Sequence, residues 1–401
     1  MTTAPVVSPD RTPSAVQGPE MPRPSAAPAR KQHSDRAAEM VVDGLPNEVL
    51  FDHPTADGPL WALGHNWKAS FDGEGFTYVP FFGSDAPRNF PLRVKFAAAQ
   101  VGGEALALPA GSPERQGFAV RTGRGALTEV VELGVRQVEQ SLVFETLTNR
   151  GAIAIDVRLG GEFTPTTIPG GLRFANEHGA LDYTKAIAVD AGGRRLPLAI
   201  AWNGDAARIE IPAEFVAAAK LPLVLDPVLA TTASFAGSTL PAQVQSKPDV
   251  ASIPTAVGRS LVVWLRQWSA GDQDCYARLT DLNLAPLGAA FTLGFTGGDW
   301  LAPAVAGSKF GQNFLGVSET RIPGQHCIGG RIITAGGSAQ PLFPIERAGF
   351  GGSLPGDNFR PDVGRDSSSR PKCTSASCSR RTSVRTTTTP TAGSSRRPAR
   401  C

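Results

Sequence analysis

The stretch Leu221-Pro-Leu-Val-Leu-Asp-Pro-Val-Leu229 separates two parts of this sequence that have different patterns. Its apolar run favours a β-strand, and the strand is expected to end at Asp226-Pro227 because proline has no N–H to donate to a central ladder. A Thr/Ser/Ala/Gln-rich segment with few charges follows over 231–246 and is typical of a linker. An ordinary strand end is the alternative interpretation, but the periodicity changes across the stretch. We therefore predict a domain boundary at residue 230.

The composition favours an all-β protein. The 401 residues include 44 Gly and 34 Pro, which break helix interiors and favour turns, and only 19% of the residues are charged. An apolar content of 41% can form a core, and a chain of this length has room for two domains. We predict a β-sandwich-like N-terminal domain over 41–230, followed by an incomplete β-propeller-type repeat region.

The charges are unevenly distributed along the chain. The net charge is +3, but residues 365–401 hold nine Lys or Arg and one Asp, so the remainder carries −5. The folded part therefore has no concentrated basic face of the kind that binds nucleic acid. No run approaches the roughly 18 apolar residues of a membrane span. Residues 1–40 lack the apolar segment of a signal peptide and are predicted to be a disordered Pro/Ala-rich leader.

Residues 41–230 are predicted to form many short strands around an aromatic centre, Trp61 to Phe82. Asp72-Gly-Glu-Gly75 is a turn signal between two aromatic runs and predicts a hairpin. Further turns, such as Asn203-Gly-Asp205, separate later segments, and a helical turn is predicted near Phe215. Strands are predicted at 92–96, 117–121, 127–133, 140–147, 152–159, 171–175, 181–189, 198–202 and 208–211. Many short strands with such turns favour a sandwich.

Few residues of this domain suggest chemistry. His65 has no Cys, His or carboxylate at metal-ligand spacing, which favours a packed or surface histidine. Asp182 and Asp190 have the same side parity on a predicted strand, and solvated carboxylates are expected there, as they are for Glu132, Glu139 and Glu145. The motifs of serine hydrolases, zinc proteases and P-loop proteins do not occur. The sequence predicts no catalytic, cofactor-binding or metal-binding residue, and no cofactor.

Residues 247–364 contain an internal repeat. Lys247-Pro-Asp-Val-Ala-Ser252 recurs as Ala302-Pro-Ala-Val-Ala-Gly307 and again as Arg360-Pro-Asp-Val-Gly364. The copies are 55 and then 58 residues apart, and each unit offers about four short strands. A period near 50 with four strands per unit is typical of a propeller blade. We predict two complete units and the first strand of a third.

The middle of each unit contains further candidates. Cys275 and Cys327 are at equivalent positions, and neighbouring blades hold such points farther apart than the Cα separation of about 7 Å that a disulfide allows. Free thiols are therefore favoured over a disulfide. Asp272-Gln-Asp274 has the acidic character of a calcium loop. The second unit does not repeat these acids, so a solvated turn is expected rather than a calcium site.

The composition changes again after Gly364. Ser, Thr, Arg and Pro dominate residues 365–401, which also hold three of the five cysteines. One interpretation is a genuine basic Arg/Ser/Thr-rich tail, and the other is translation in a shifted reading frame. The second is favoured because the third unit would otherwise be one strand without partners, with an unpaired edge.

Taken together, these segments resemble the N-terminal region of large surface or secreted proteins of environmental bacteria. The resemblance spans roughly 41–364 and rests on Trp67-Lys-Ala-Ser-Phe71, Tyr183-Thr-Lys-Ala186 with Asp190, Phe215, and Leu221 to Leu229. In those proteins a β-rich domain ends in a P-L-V-x-D-P-V motif and is followed by β-propeller-like repeats. The resemblance implies an extracellular or cell-surface location, although no signal peptide is visible, and it specifies no functional residue.

Two functions are open at this point. The favoured hypothesis is a non-enzymatic structural or adhesive module of a bacterial cell-surface or secreted protein, with a polysaccharide or a protein at the cell surface as its partner. The alternative is a fragment of a propeller-bearing carbohydrate-active hydrolase or lyase, which would need paired carboxylates converging at the propeller channel. A third interpretation is a broken gene product that does not fold beyond residue 230.

Overall fold

The computed structural model describes residues 48–52, 58–232, 243–253, 258–308, 312–322, 325–345, 358–363 and 384–388. Within them the protein is almost entirely β-strand, in antiparallel sheets of which none closes on itself, so the predicted all-β class is confirmed. One short helix, α1 (Ala213–Ala218), lies where the helical turn was predicted. No described helix is long and apolar enough to cross a membrane. The predicted leader over 1–40 lies outside the described residues.

Two nine-stranded sheets form the part of the protein before residue 233. The strands are β1 (Leu50–Asp52), β2 (Leu60–Leu63), β3 (Trp67–Asp72), β4 (Gly75–Pro80), β5 (Leu92–Val101), β6 (Glu104–Ala105), β7 (Glu114–Gln116), β8 (Ala119–Arg124), β9 (Leu127–Leu133), β10 (Gln137–Phe144), β11 (Ile153–Gly161), β12 (Thr164–Ile168), β13 (Gly171–Asn176), β14 (Gly179–Asp190), β15 (Arg195–Pro197), β16 (Ile200–Trp202), β17 (Ala206–Ile211) and β18 (Leu223–Thr232). The first sheet has the order β1-β2-β3-β4-β5-β11-β17-β16, with β6 added to β5. The second has the order β12-β13-β14-β18-β10-β9-β8-β7, with β15 beside β14.

Alternating side chains explain how these two sheets share one core. In β10, Val138, Gln140, Leu142 and Phe144 are buried while the residues that alternate with them are partly exposed. Because successive side chains of a strand point to opposite faces, each strand contributes one apolar row. The rows of both sheets meet in a single buried cluster, with Trp67 from the first sheet and Leu225 from the second. The predicted hairpin is confirmed, since β3 pairs with β4 across its turn.

Strand β18 continues through Asp226-Pro227, so the strand end predicted there is wrong. β18 runs to Thr232 between β14 and β10, in the middle of the second sheet. Its pairing with β14 is irregular between Thr184 and Ile187, and its register with β10 skips Asp226-Pro227. This β-bulge accommodates a residue without an N–H because the ladder is locally interrupted. Of the predicted linker, residues 233–242 lie outside the described residues.

Each of the two predicted repeat units folds as a four-stranded antiparallel sheet in chain order. The third sheet consists of β19 (Gln245–Ile253), β20 (Arg259–Ser269), β21 (Asp272–Thr280) and β22 (Phe291–Gly294), and the fourth of β23 (Trp300–Gly307), β24 (Asn313–Ile322), β25 (Gln325–Thr334) and β26 (Phe343–Pro344). The two sheets pack on each other in one apolar cluster, which includes Leu261 and Val263 of the third sheet and Trp300 and Phe314 of the fourth.

The start of the third unit pairs with a strand from the tail. β27 (Asn358–Val363) is antiparallel to β28 (Val384–Thr388), which lies within the predicted basic tail. The expectation that this strand has no partner is therefore wrong, while the choice between a genuine tail and a shifted reading frame stays a prediction. Val363 of β27 packs against Ala304 and Val317 of the fourth sheet.

The x-Pro step that opens each unit coincides with the same irregularity. The strand pairing shifts at this step in β19, β23 and β27. The residues before the first two prolines, Lys247 and Ala302, have φ angles of 50° and 46°, a conformation that side-chain-bearing residues rarely adopt. The sequence signature therefore corresponds to a β-bulge in which the proline needs no ladder partner.

Candidate functional site

Lys68 is a lysine with no exposed side-chain surface. It lies on β3 between Trp67 and Ala69, whose side chains enter the core between the nine-stranded sheets. Because strand side chains alternate, Lys68 points to the opposite face of the first sheet, where its partners come from the third sheet. A buried ammonium group is costly unless it is paired, so its neighbours define the site.

Two aspartates of β21 neutralise Lys68. Lys68 Nζ donates to both carboxylate oxygens of Asp272 at 2.8 Å and to Oδ1 of Asp274 at 2.8 Å. The backbone oxygen of Thr296 accepts at 2.7 Å. Asp272 and Asp274 are two residues apart on β21, so their side chains share one face. The three charged side chains are at most 1% exposed, which makes this an ion cluster sealed from solvent.

Asn89 and one aromatic contact complete this group, which we name the Lys68 cluster (Lys68, Asn89, Asp272 and Asp274). Asn89 Nδ2 donates to Asp272 Oδ2 at 2.7 Å. Lys68 Nζ lies 4.7 Å from the ring centre of Trp268, a cation–π distance. Apolar side chains from the first and third sheets form a buried cluster of their own beside these charges. The Lys68 cluster is therefore a charged joint between the two sheets.

The expectation of a solvated turn at Asp272-Gln-Asp274 is wrong, because both acids lie within β21 and are fully buried. The calcium interpretation also fails to match the geometry, since the Lys68 ammonium already occupies the space between the carboxylates. In the part of the chain that the structure describes, no three His, Cys, Asp or Glu residues cluster in a way that could hold a metal ion. One signal for the site was overlooked: Lys68 is the only Lys or Arg between Trp61 and Phe82.

Burial raises the pKa of both aspartates. For Asp272 the loss of hydration outweighs the pull of Lys68 and Asn89 toward the ionised form. For Asp274 burial raises the pKa to about 7, with Lys68 opposing the rise and the Asp272 carboxylate adding to it. Asp274 Oδ2 has no hydrogen-bond partner among the described residues. A carboxyl group with a pKa near 7 suits acid–base chemistry, but a fully buried one cannot contact a substrate in this conformation.

Between about pH 4 and pH 7 we expect Asp274 to make the free energy of unfolding fall as the pH rises. In the unfolded chain this carboxyl ionises near its ordinary pKa of 3.8, whereas the folded state keeps the proton until about pH 7. The folded state thus binds the extra proton in this window, and the stabilisation that is complete below pH 3.8 is lost as the pH rises through 7. Urea unfolding at several pH values should show a shallower slope for Asp274→Asn than for the wild type. Equal slopes would contradict the assignment.

A second buried polar network lies inside the core of the nine-stranded sheets. Arg124 donates from Nε and Nη2 to Glu129 Oε2 at 2.8 and 2.6 Å, and from Nη1 to the Gly73 oxygen at 3.0 Å. Gln140 Nε2 donates to Glu129 Oε1 at 2.7 Å, and the Tyr183 hydroxyl donates to Gln140 Oε1 at 3.0 Å. Burial is the main cause that raises the pKa of Tyr183, and the negative charge of Glu129 raises it further. Every member has a partner, so this network is structural.

The structure places Asp182 and Asp190 on opposite faces of β14, although the sequence predicted the same side. Before the bulge opposite Pro227, Leu181 and Tyr183 point into the core. After the bulge Ala186 and Ala188 point into the core, because the bulge shifts the alternation by one residue. Asp182 pairs with an arginine on the outer face.

Asp190 is buried, so its predicted solvation is wrong. Burial alone would raise its pKa, but hydrogen bonds from the Arg194 backbone and side chain and from the Lys220 and Gly192 backbones lower it to about 2. Asp190 therefore organises a turn.

The remaining sequence candidates are not brought together. His65 is partly buried, and its backbone oxygen accepts from Arg266 Nη2 at 3.3 Å. Glu132 and Glu139 face each other across β9 and β10 on the outer side of the second sheet, and Glu145 is exposed. Cys275 is a free, buried thiol, as predicted. The side chain of Cys327 lies outside the described residues.

Sheets of this kind define an antiparallel all-β protein. Comparison of the sequence with known protein families and with curated proteins finds no match. The resemblance to bacterial surface proteins therefore remains a prediction, and the function is argued from the site.

Proposed function

We propose that this protein is a non-enzymatic structural or adhesive module of a bacterial cell-surface or secreted protein. In this proposal the two nine-stranded sheets are the layers of a β-sandwich, and the four-stranded sheets are propeller-type repeats. The Lys68 cluster is the observation that carries the proposal. Its charged groups pair with one another and so join two regions of the fold rather than contact a ligand.

Further contacts between residues before 233 and the two four-stranded sheets support a rigid platform. Ser84 Oγ donates to the Gln267 oxygen at 2.6 Å, and Gln267 Nε2 donates back to the Ser84 oxygen at 2.6 Å. Arg331 Nη2 of the fourth sheet lies 2.6 Å from Asp52 Oδ1 of β1, and both side chains are largely buried. Buried charge pairs and hydrogen bonds hold one geometry only while all partners are in place. Such a joint suits a protein that presents a fixed surface.

The arrangement of the four-stranded sheets supports the propeller-type interpretation. Four antiparallel strands in chain order are the arrangement of a propeller blade. The third and fourth sheets pack on each other, and β27 packs on the fourth sheet in turn. The recurrent bulge at the x-Pro step gives successive units the same local geometry.

One observation favours the alternative, a carbohydrate-active hydrolase or lyase. The raised pKa of Asp274, about 7, is the property by which glycosidases keep a general acid protonated. The burial of Asp274 and its pairing with Lys68 weigh toward the structural interpretation.

The full chain tests the proposal directly. Purified protein is mixed with insoluble bacterial envelope preparations that contain both glycan and protein, and the protein left in solution is measured. We expect depletion by the envelope and no sugar release from a glycan panel. A folded chain that binds no envelope preparation would contradict the adhesive role. Release of reducing ends or unsaturated sugars would support the alternative.

A further inference from the structure

A groove opens where β16, at one edge of the first nine-stranded sheet, approaches β12, at an edge of the second. Its lining includes Gly160, Phe163, Pro165, Phe174, Trp202 and Asp205. Its volume is about 230 Å³. Pockets for drug-sized ligands span roughly 300–1,000 Å³, so this groove suits one ring-sized unit.

Aromatic side chains form the apolar wall of the groove. The rings of Phe174 and Trp202 meet edge to face, with centroids 5.5 Å apart and planes at 79°. Phe163 meets Phe82 in the same manner at 6.2 Å and 76°. Trp202 is only partly buried, so it retains an accessible ring surface. Because each ring is braced by a neighbour, the wall is formed before any ligand arrives.

Asp205 lines the groove, and the guanidinium group of Arg158 pairs with its carboxylate. Arg158 Nε donates to Asp205 Oδ2 at 2.9 Å, and the two side chains are 54% and 65% exposed. The Asp205 backbone oxygen accepts from the Leu159 N–H at 3.3 Å, which ties the turn before β17 to β11. Exposed carboxylate and guanidinium groups keep acceptors and donors for further hydrogen bonds. The groove therefore offers an apolar wall and a planar polar rim side by side.

We propose that this groove binds one sugar ring of a polysaccharide, an inference that rests on the proposed adhesive function and names its ligand class. The C–H face of the ring packs on Trp202, and ring hydroxyls bond to Asp205 and Arg158. A wholly apolar ligand would remove water from these two charged groups and would not replace the hydrogen bonds that they make to it. An anionic ligand would face the Asp205 carboxylate. A polyhydroxylated ring with an apolar face satisfies both halves of the groove.

Gly160 allows the groove to be filled without disturbing the core. It is exposed on β11, and a Cβ added there would meet no atom within 4 Å, so Gly160→Leu should fold normally. Gly123 is the matched control, because it is an exposed strand glycine with the same open space. It lies on β8, toward the opposite edge of the second sheet. Trp202→Ala, which removes the ring surface, is the second groove variant.

The experiment measures co-sedimentation of the full chain with insoluble cellulose, chitin and peptidoglycan, after thermal unfolding has shown that each variant is folded. The wild type and Gly123→Leu should bind at least one polysaccharide equally. Gly160→Leu and Trp202→Ala should bind it about tenfold more weakly or worse, the loss typical of a central aromatic contact. Wild-type affinity in both groove variants would overturn the groove while leaving the adhesive function in place. Binding to envelope protein but to no polysaccharide would do the same, and binding to neither would overturn both proposals.

Discussion

Replacing Lys68 with methionine is expected to lower the free energy of unfolding by about 3–5 kcal/mol. Methionine keeps the length and the apolar stem of the side chain but removes the ammonium group. Asp272 and Asp274 would then be two buried carboxyl groups without the cation that lies 2.8 Å from each of them. They would have to take up protons or admit water, and either change weakens the folded state. Urea unfolding of the full chain near pH 7.5, followed by tryptophan fluorescence, measures the loss.

Lys95→Met is the matched control for this change. Lys95 also pairs with an acid, Glu74, at 2.7 Å, but the two side chains are 37% and 57% exposed. Surface pairs of this kind contribute about 0–1 kcal/mol, so the control should stay within that range. Adding Asp272→Leu and Asp274→Leu to Lys68→Met should recover part of the loss, because the unpaired charges are gone. Equal effects of Lys68→Met and Lys95→Met would contradict the role of the cluster.

Replacing Arg124 with methionine should have an effect of similar size, about 3–5 kcal/mol, in the core of the nine-stranded sheets. The substitution removes both hydrogen bonds to Glu129 Oε2 and leaves that buried carboxylate without its cation. The Gly73 oxygen also loses its side-chain donor. Urea unfolding under the same conditions gives the difference.

Two further variants separate charge from packing in this second case. Arg88→Met breaks an arginine–carboxylate pair with Glu162 whose side chains are 52% and 61% exposed, so it should cost less than about 1 kcal/mol. In the double variant Arg124→Met with Glu129→Gln, a neutral amide replaces the unpaired carboxylate, and part of the lost free energy of unfolding should be recovered. If the double variant is less stable than Arg124→Met alone, loss of packing rather than loss of charge is the cause.

Local pattern was sufficient for most of the strands. The predicted strand at 127–133 coincides with β9, and the turn at Asp72-Gly-Glu-Gly75 joins β3 to β4. The same alternation contains a signal for the buried polar network. Glu129 has the side parity of Leu127 and Val131, which indicates an acid that faces the core. The strand end predicted at Pro227 was wrong because a β-bulge can place a proline inside a central strand. The same bulge puts Asp190 on the opposite side of the strand from the predicted one.

By itself the sequence determined the all-β class, the hairpin, most strand positions and the two segments that became four-stranded sheets, because these depend on local alternation and turn residues. Only the tertiary structure decided that Lys68, Asp272 and Asp274 meet, since more than 200 residues separate the lysine from the acids. Alternation states which side chains share a face of a strand but not what covers that face. From the sequence alone Lys68 is therefore expected to face solvent. In the structure it is buried because the third sheet packs on its side of β3.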